Sequence, residues 1–253
     1  MNIITGMHRS GTSGVARLFY EHGADMGSRE TFYRPDKWNP GGYFEQPDIH
    51  AVNIPLINGP WGKLAYLNLP SEKTILKRAD RIKSKIAAIA AKYTGKIVKE
   101  TRFCLTLNAW QTHGANISKV LICLREPIET ARSINKRNRI PVNFALKLWH
   151  DHYVRLLRQI TEMPVWFIHY NHLLDESLQA KEMMTAFHFM GFSLAEEDAK
   201  RLWRSAIKKE MNHQRTVPPA YPADVDDLWR KLTERHRIQQ PATTEFVPHA
   251  TRS

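Results

Sequence analysis

Asn2-Ile-Ile-Thr-Gly-Met-His-Arg-Ser-Gly-Thr-Ser13 is the stretch that decides the fold. Ile3 and Ile4 predict a short buried strand, and apolar residues recur at helical spacing from position 15 onward. Gly6 and Gly11 frame the turn between them, since glycine adopts backbone conformations that other residues avoid. A strand, a glycine-framed loop and a helix in this order predict a phosphate-binding loop, in which backbone amides at the helix N-terminus face an anion.

The loop has the spacing of the Walker motif, Gly-x-x-x-x-Gly-Lys-Ser/Thr, but Thr12 stands where the lysine belongs. That lysine holds the outer phosphates of a nucleoside triphosphate, so its absence argues against chemistry at the γ-phosphate of ATP. His8 and Arg9 supply hydrogen-bonding and positive groups within the loop instead. A glycine-framed turn that binds nothing is the alternative interpretation.

The chain has 253 residues and a formal net charge of +12, from 37 basic and 25 acidic residues. Such a charge favours polyanionic ligands, which include nucleic acid, acidic membrane surfaces and phosphorylated or sulfated molecules. Cys104 and Cys123 stand alone in apolar runs, which is typical of reduced core cysteines in a cytoplasmic protein. The sequence has no zinc-ligand spacing and no apolar run near ~18 residues, and it opens on a core strand that leaves no room for a signal peptide. We therefore expect a cytoplasmic protein.

Short apolar runs alternate with helical patterns along the chain. This alternation predicts a single α/β domain over residues 1–253, with a parallel sheet between two helical layers. The predicted strands include residues 3–4, 96–98, 119–124 and 165–168. The predicted helices end near Glu21 or cover residues 71–93, 105–110, 127–139, 142–160, 178–190, 194–208 and 224–235, and residues 239–253 are expected to form a loose tail.

Residues 28–70 form a long segment rich in proline, glycine, asparagine and aromatic residues, with a short helix possible over residues 47–58. Long loops in compact domains are usually functional or disordered. The aromatic residues argue against disorder; they are Tyr33, Trp38, Tyr43, Phe44 and Trp61. The segment is predicted to be an insertion that forms either a wall of the acceptor site or a packing lid over the sheet edge.

Basic residues follow the predicted strands directly. Ligands of parallel sheets bind at the carboxyl ends of the strands, so the loop at Gly6, the stretch Lys99–Arg102 and Arg125 should meet at one crevice. A nucleotide hydrolase of this fold would carry an aspartate at such a strand end to hold magnesium. Lys99 and Arg125 stand there instead, so the sequence predicts an anion site without a metal.

Several of these stretches resemble motifs of the sulfotransferases that use 3′-phosphoadenosine-5′-phosphosulfate (PAPS). Residues 5–13 resemble the 5′-phosphosulfate loop of that family, and residues 124–133 resemble its 3′-phosphate motif, with Arg125 after a strand and Ser133 eight positions later. Residues 39–45, 99–102 and 169–174 resemble further stretches of bacterial members, where Lys-Asp-Pro-Arg is more usual than Lys-Glu-Thr-Arg. The resemblance runs from residue 2 to about residue 235 and implies the P-loop NTPase-like sulfotransferase fold.

The resemblance implies that a sulfuryl group moves from PAPS to a hydroxyl or amine of an acceptor, leaving adenosine 3′,5′-bisphosphate. The acceptor is expected to be a glycan, a lipid-linked molecule or a small molecule, and the basic surface is compatible with peripheral membrane contact. By the same resemblance, a late basic loop containing Arg215 closes over the donor. The predicted donor-binding residues are His8, Arg9, Ser10, Gly11, Thr12, Ser13, Arg125, Ser133 and Arg215.

Catalysis requires cations where charge builds on the leaving group and a base for the acceptor proton. Arg9 and Lys99 are the candidate cations. Glu45 is the first candidate for the base, because Tyr43 and Phe44 would make its surroundings apolar and raise its pKa. An exposed or capping role is the alternative for Glu45; Glu30 is the second candidate base, and the remaining ones are His50 and His113.

Two other functions fit parts of the sequence. A nucleotide kinase or NTPase shares the fold, but Thr12 and the basic strand ends count against it. A basic nucleic-acid-binding protein would fit the net charge, but the chain lacks an aromatic RNA-binding motif and a helix-turn-helix signature.

Overall fold

The computed structural model describes residues 1–66, 68–206 and 220–240. Within these ranges a four-stranded sheet has the order β2-β1-β3-β4, and all neighbouring strands are parallel. The strands are β1 (Asn2–Thr5), β2 (Ile97–Lys99), β3 (Lys119–Leu124) and β4 (Val165–His169). The predicted α/β class and parallel sheet are therefore confirmed.

Helices cover both faces of this sheet. Their bounds are α1 (Thr12–Glu21), α2 (Pro47–Asn58), α3 (Glu72–Asp80), α4 (Lys83–Lys92), α5 (Phe103–Thr112), α6 (Pro127–Asn138), α7 (Val142–Gln159), α8 (Tyr170–Leu173), α9 (Gln179–Met190), α10 (Glu196–Ala206) and α11 (Ala223–Gln239). Among these described helices, none is both long and apolar enough to cross a bilayer.

Successive strand residues enter two separate cores, as the two-residue period of a strand requires. On β3, Val120 and Ile122 pack with α5 and α7, whereas Leu121 and Cys123 pack with α1 and α9. Both faces of the strand are buried from Val120 onward, which explains why residues 120–124 are a continuous apolar run. The two cores and the sheet between them form the predicted three layers.

The carboxyl ends of the strands lie at one edge of the sheet. Ile4 pairs with both Lys99 and Leu121, so the loop that follows β1 lies between the ends of β2 and β3. Leu124 pairs with His169, which places the segment after β4 next to Arg125. The topology therefore brings the four post-strand segments to one edge.

The predicted helix over residues 71–93 is two helices, α3 and α4. Ser71 caps α3 by accepting the amide of Thr74, and the amide of Ile82 bonds to the carbonyl of Ala79, which ends that helix. Ile82 then has extended rather than helical φ and begins α4. Ile75 and Ile86 of the apolar stripe are still buried, and Ile82 and Ile89 pack partly buried against the same core.

Two other boundaries also differ from the prediction or refine it. Helix α11 continues to Gln239, beyond the predicted end at residue 235, and the rest of the predicted tail, residues 241–253, lies outside the described part of the chain. In the segment 28–70, the predicted helix over 47–58 is present as α2, with Pro47 in its first turn. Phe32 and Phe44 of this segment are buried against α1, whereas the side chain of Trp61 lies outside the described part.

Candidate functional site

The loop after β1 ends on Gly11, which adopts φ +83° and caps α1. Gly11 has no side chain, and in the described part of the chain no side chain caps the helix. The first amides of an α-helix have no partner within the helix. Gly11, Thr12, Ser13 and Gly14 line an open cleft of about 620 Å³ including its mouth, so the start of α1 faces this cleft.

Tyr170, the first residue of α8, packs directly against the loop. A Cβ atom built on Gly11 would lie 2.0 Å from the Tyr170 ring, which is far inside van der Waals contact. Glycine is therefore required at position 11 both by its positive φ and by this close approach. The contact fixes the loop against the end of β4.

Arg9 connects the two predicted donor motifs. Its Nε donates to the Ser133 hydroxyl at 2.9 Å, and its carbonyl oxygen accepts a hydrogen bond from Nη1 of Arg125 at 3.1 Å. Its Nη1 also donates to the carbonyl of Trp38 at 3.3 Å. The structure thus brings Arg9, Arg125 and Ser133 together, although they come from sequence segments more than a hundred positions apart.

Arg125 is buried and held by an ion pair. Its Nε donates to Oε2 of Glu129 at 3.0 Å, and Asn171 donates to the same oxygen at 3.1 Å. The guanidinium carbon lies 5.3 Å from the centre of the Tyr170 ring. An arginine after a buried strand needs such partners because an unpaired buried charge is costly.

Lys99 and Glu45 form a buried ion pair beside the loop. Lys99 Nζ lies 2.6 Å from Oε1 of Glu45 and 3.3 Å from the hydroxyl of Ser13, and the exposed fractions of the two residues are 1% and 6%. Both residues line the cleft. The positive group is therefore held in the space in front of α1, with its counterion next to it.

The prediction that the pKa of Glu45 is raised is wrong. Burial does raise the pKa of this carboxyl, but the charge of Lys99, a hydrogen bond from His50 and the charge of Arg102 outweigh it. The pKa of Glu45 is held well below its usual value. Tyr43 and Phe44 are its sequence neighbours, but the cations from β2 and the following turn decide its protonation.

His50 lies between two carboxylates. Its Nδ1 is 3.5 Å from Oε2 of Glu45, 3.6 Å from Oε2 of Glu100 and 3.0 Å from Nη1 of Arg102. Burial lowers the pKa of His50, but hydrogen bonds to Glu100 and Glu45 raise it above its usual value. Glu100 is 1% exposed, and its other oxygen, Oε1, accepts a hydrogen bond from Nη1 of Arg102 at 2.9 Å. His50 therefore links the carboxylates of Glu45 and Glu100 beside the Lys99–Glu45 pair.

His8 occupies the inner side of the cleft. Its Nδ1 lies 2.9 Å from the hydroxyl of Thr101. Burial and the nearby charge of Arg102 keep its pKa well below the usual histidine value. His8 is therefore neutral at physiological pH and can take part in hydrogen bonds rather than in charge pairing.

The segment 28–70 supplies one wall of the cleft through Trp38, Asn39, Tyr43 and Glu45. The Tyr43 hydroxyl donates to Asp36 at 2.7 Å and accepts from Arg137 at 3.0 Å, which joins this wall to the end of α6. The segment thus forms a wall beside the loop and also packs into the core.

Some predicted residues lie elsewhere. Ser10 is fully buried, its hydroxyl accepts a hydrogen bond from Tyr153 at 3.2 Å, and it is not one of the residues that line the cleft. Glu30 is exposed and bonded to Ser28. His113 follows α5, near the amino-terminal edge of the sheet, and pairs with Asp80. Arg215 lies outside the described residues.

Sequence reasoning missed three residues of the site. Tyr170 belongs to the stretch 169–174, but its contact with Gly11 requires the tertiary structure. Arg137 lies in the basic end of α6, which looks like an ordinary solvated helix end in the sequence. Glu129 follows Arg125 at the i,i+4 spacing of a helical ion pair, and this spacing was a usable signal.

The comparisons with known proteins give matches among solved structures. No protein-family model matches the chain, and no curated protein matches it significantly. Among solved structures, the chain is similar to the "Sulfotransferase Domain from the Curacin Biosynthetic Pathway" at 13% sequence identity and a TM-score of 0.49. The alignment covers 92% of this chain and 97% of that chain.

Proposed function

We propose that this protein is a sulfotransferase that moves a sulfuryl group from PAPS to a hydroxyl of a glycan, lipid-linked or small-molecule acceptor. The observation that carries the proposal is the meeting of Arg9, Arg125 and Ser133 beside the start of α1, next to Lys99 and Glu45. This arrangement offers separate cationic and amide groups to the two anionic ends of such a donor.

The 5′-phosphosulfate is proposed to bind the amides at the start of α1 and the hydroxyls of Thr12 and Ser13. Free amides and the helix dipole favour an anion at this position. The 3′-phosphate is proposed to bind near Arg125 and Ser133, with Arg9 between the two ends. Glu129 and the Arg9 carbonyl hold two nitrogens of Arg125, so its guanidinium is oriented before the nucleotide arrives.

In the proposed reaction, the acceptor oxygen forms a bond to sulfur while the bond from sulfur to the bridging phosphate oxygen breaks. The leaving nucleotide takes that electron pair, and Lys99 and Arg9 stabilise the growing charge. Glu45 accepts the acceptor proton, with His50 adjacent to it. Because the pKa of Glu45 is low, it is ionised and ready, and it receives the proton only as the acceptor oxygen becomes acidic during bond formation.

The nucleotide preference tests the proposal. The protein should bind adenosine 3′,5′-bisphosphate more tightly than adenosine 5′-phosphate in the absence of magnesium. Removal of Arg125 should reduce that preference by roughly 10- to 150-fold, which corresponds to about 1.5–3 kcal/mol for a charge-assisted hydrogen bond. Calorimetric titration of both nucleotides measures it.

The choice of variant has to take account of the buried ion pair between Arg125 and Glu129. Arg125→Ala alone would leave that carboxylate uncompensated, so Arg125→Ala/Glu129→Ala is compared with it and with Lys136→Ala, an exposed position on α6. Equal affinity of the intact protein for the two nucleotides would refute the assignment. Stabilisation by Mg-ATP alone would favour the NTPase alternative, and binding of oligonucleotides alone with steep salt dependence would favour the nucleic-acid-binding alternative.

Transfer itself requires a second experiment. The protein is incubated with donor labelled in the sulfuryl group and with cell extract, and labelled products are separated and identified. Labelled product that depends on Lys99 supports the reaction, and the chemistry of that product defines the acceptor.

A further inference from the structure

A second cluster of titratable side chains lies beyond the cleft, after the end of β4. It contains His172 on α8, Glu182 on α9 and His236 on α11. Nε2 of His236 lies 2.8 and 3.0 Å from the two Glu182 oxygens, and Nδ1 of His172 lies 3.2 Å from Oε2. The ligand atoms of the three residues all lie within 4.8 Å of one another.

The cluster is more buried than a surface ion pair. The exposed fractions of Glu182 and His236 are 3% and 4%, and His169 beside them is 8% exposed. The ring centroid of His169 lies 4.5 Å from that of His172 and 5.6 Å from that of His236. His169 Nδ1 is buried and has no hydrogen-bond partner among the described residues.

We propose that His172, Glu182 and His236 bind a divalent transition metal, and that Zn²⁺ is the ion that best fits two imidazoles and one carboxylate. Tetrahedral coordination at ~2.0–2.2 Å separates ligand atoms by about 3.4 Å. The present separations between the carboxylate oxygens and the imidazole nitrogens are 2.8–3.2 Å, close to that value, and all three ligand atoms lie within 4.8 Å of one another.

The site would keep an open coordination position. The three ligands line a cleft that also contains His169, Lys181 and other residues. The positive charge of Lys181 favours an anionic ligand such as hydroxide at that position, and His169 offers a further nitrogen in the same cleft. The backbone N–H of His169 donates to Glu182 Oε1 at 2.5 Å, which orients the carboxylate as outer-shell donors do in metal sites.

The proposed ion would join three separate elements. It would hold α11 and α9 to α8, and α8 carries Tyr170, which packs on Gly11. The inference does not depend on sulfuryl transfer, because the ligands come from outside the cleft described above.

Zinc and cobalt binding test the proposal directly. The full chain is freed of metal with a chelator and titrated with Zn²⁺ by calorimetry, and Co²⁺ is added to record the absorption bands of a tetrahedral site. We expect one site in the wild-type protein, and an affinity at least about 100-fold lower in His172→Ala and His236→Ala, since even outer-shell changes cost 10–100-fold. His188→Ala, at an exposed position of α9, is the matched control and should bind as the wild type does.

A further variant separates this cluster from the one beside the donor cleft. His50→Ala should bind Zn²⁺ normally, because it alters the Glu45, His50 and Glu100 group only. Thermal unfolding in chelator shows whether each variant is folded. If His236→Ala is not folded, the Zn²⁺ affinities of His172→Ala, at a half-buried position, and of Glu182→Gln test the proposal. Absence of binding to the wild type, unchanged binding in His172→Ala, or loss of binding in His50→Ala alone would overturn the proposal.

Discussion

Replacing Glu45 by glutamine should separate the structural role of this carboxylate from its proposed chemical role. Glutamine keeps the shape but removes the charge 2.6 Å from Lys99 Nζ. Both residues are almost fully buried, so Lys99 would lose the carboxylate it touches without gaining water. Breaking a buried ion pair from one side costs about 3–5 kcal/mol. Because the glutamine amide oxygen and the Ser13 hydroxyl still accept hydrogen bonds from Lys99, we expect Glu45→Gln to lower the free energy of unfolding by about 3 kcal/mol, the lower end of that range.

The effect on the rate should be larger than the effect on nucleotide binding. Loss of a general base lowers turnover by about 10²–10⁴. The polar side-chain partners given for Glu45 in the described part of the chain are Lys99, His50 and Arg102. Affinity for adenosine 3′,5′-bisphosphate should therefore change by less than about tenfold, the range of a single weak contact. Glu45→Gln/Lys99→Met removes both charges and should regain most of the stability, since an apolar replacement of a whole buried pair is often neutral.

Urea denaturation measures the stability, and transfer of labelled sulfuryl groups under single-turnover conditions measures the rate. Glu30→Gln is the matched control, because Glu30 is exposed. A stability loss below about 0.5 kcal/mol, the usual effect of a surface change, would refute the buried-pair argument. Near-normal turnover in Glu45→Gln with a loss in Glu30→Gln would place the base at Glu30, and normal turnover in both would direct the test to His50→Asn.

Three further outcomes follow from the structure. Gly11→Ala should lower the free energy of unfolding by at least about 2 kcal/mol and abolish nucleotide binding, because it combines left-handed backbone strain with overpacking against Tyr170. Gly11→Ala/Tyr170→Ala should recover only the part of the stability that was lost through overpacking, and thermal melts measure this difference. The second outcome concerns pH: burial raises the pKa of Glu182, but hydrogen bonds from His172 and His236 outweigh it and lower the folded-state pKa from its ordinary value of 4.5 to about 2. Its contribution of about 3 kcal/mol is therefore complete above pH 5 and is lost as the pH falls from about 4.5 to 2. The free energies of unfolding of metal-free wild type and Glu182→Gln, measured by denaturation at several pH values, should therefore converge as the pH falls. Parallel pH curves would contradict this. Binding of adenosine 3′,5′-bisphosphate should persist in EDTA, and its restoration only by magnesium would contradict the proposed donor site.

The sheet could be predicted because its strands are buried on both faces. Such strands favour continuous apolar runs, and the stretches at 120–124 and 165–168 have this property. The glycine-framed loop was also predictable, because its spacing is a local property of the chain. The break between α3 and α4 was not, since residues 80–83 contain neither glycine nor proline and the apolar period continues across them.

The electrostatics of the site could not be predicted from neighbours in sequence. Glu45 follows two aromatic residues, but Lys99 is 54 positions away and controls its pKa. Tyr170 packs on Gly11 from the end of β4, and the three ligands of the proposed metal site come from α8, α9 and α11. Pairings of this kind depend on strand order, which local patterns do not contain.

Arg9 has a left-handed backbone with φ +72°, a conformation that costs a residue with a side chain about 1–2 kcal/mol relative to glycine. Its carbonyl accepts from Arg125 and its side chain donates to Ser133, so one residue serves the cleft through both backbone and side chain. Glycine at this position would relieve the strain and preserve the carbonyl. At position 9, greater stability and the side-chain hydrogen bond to Ser133 therefore exclude each other. A thermostabilised form of this chain that carries glycine there would retain the fold but lose the side-chain link between the loop after β1 and α6.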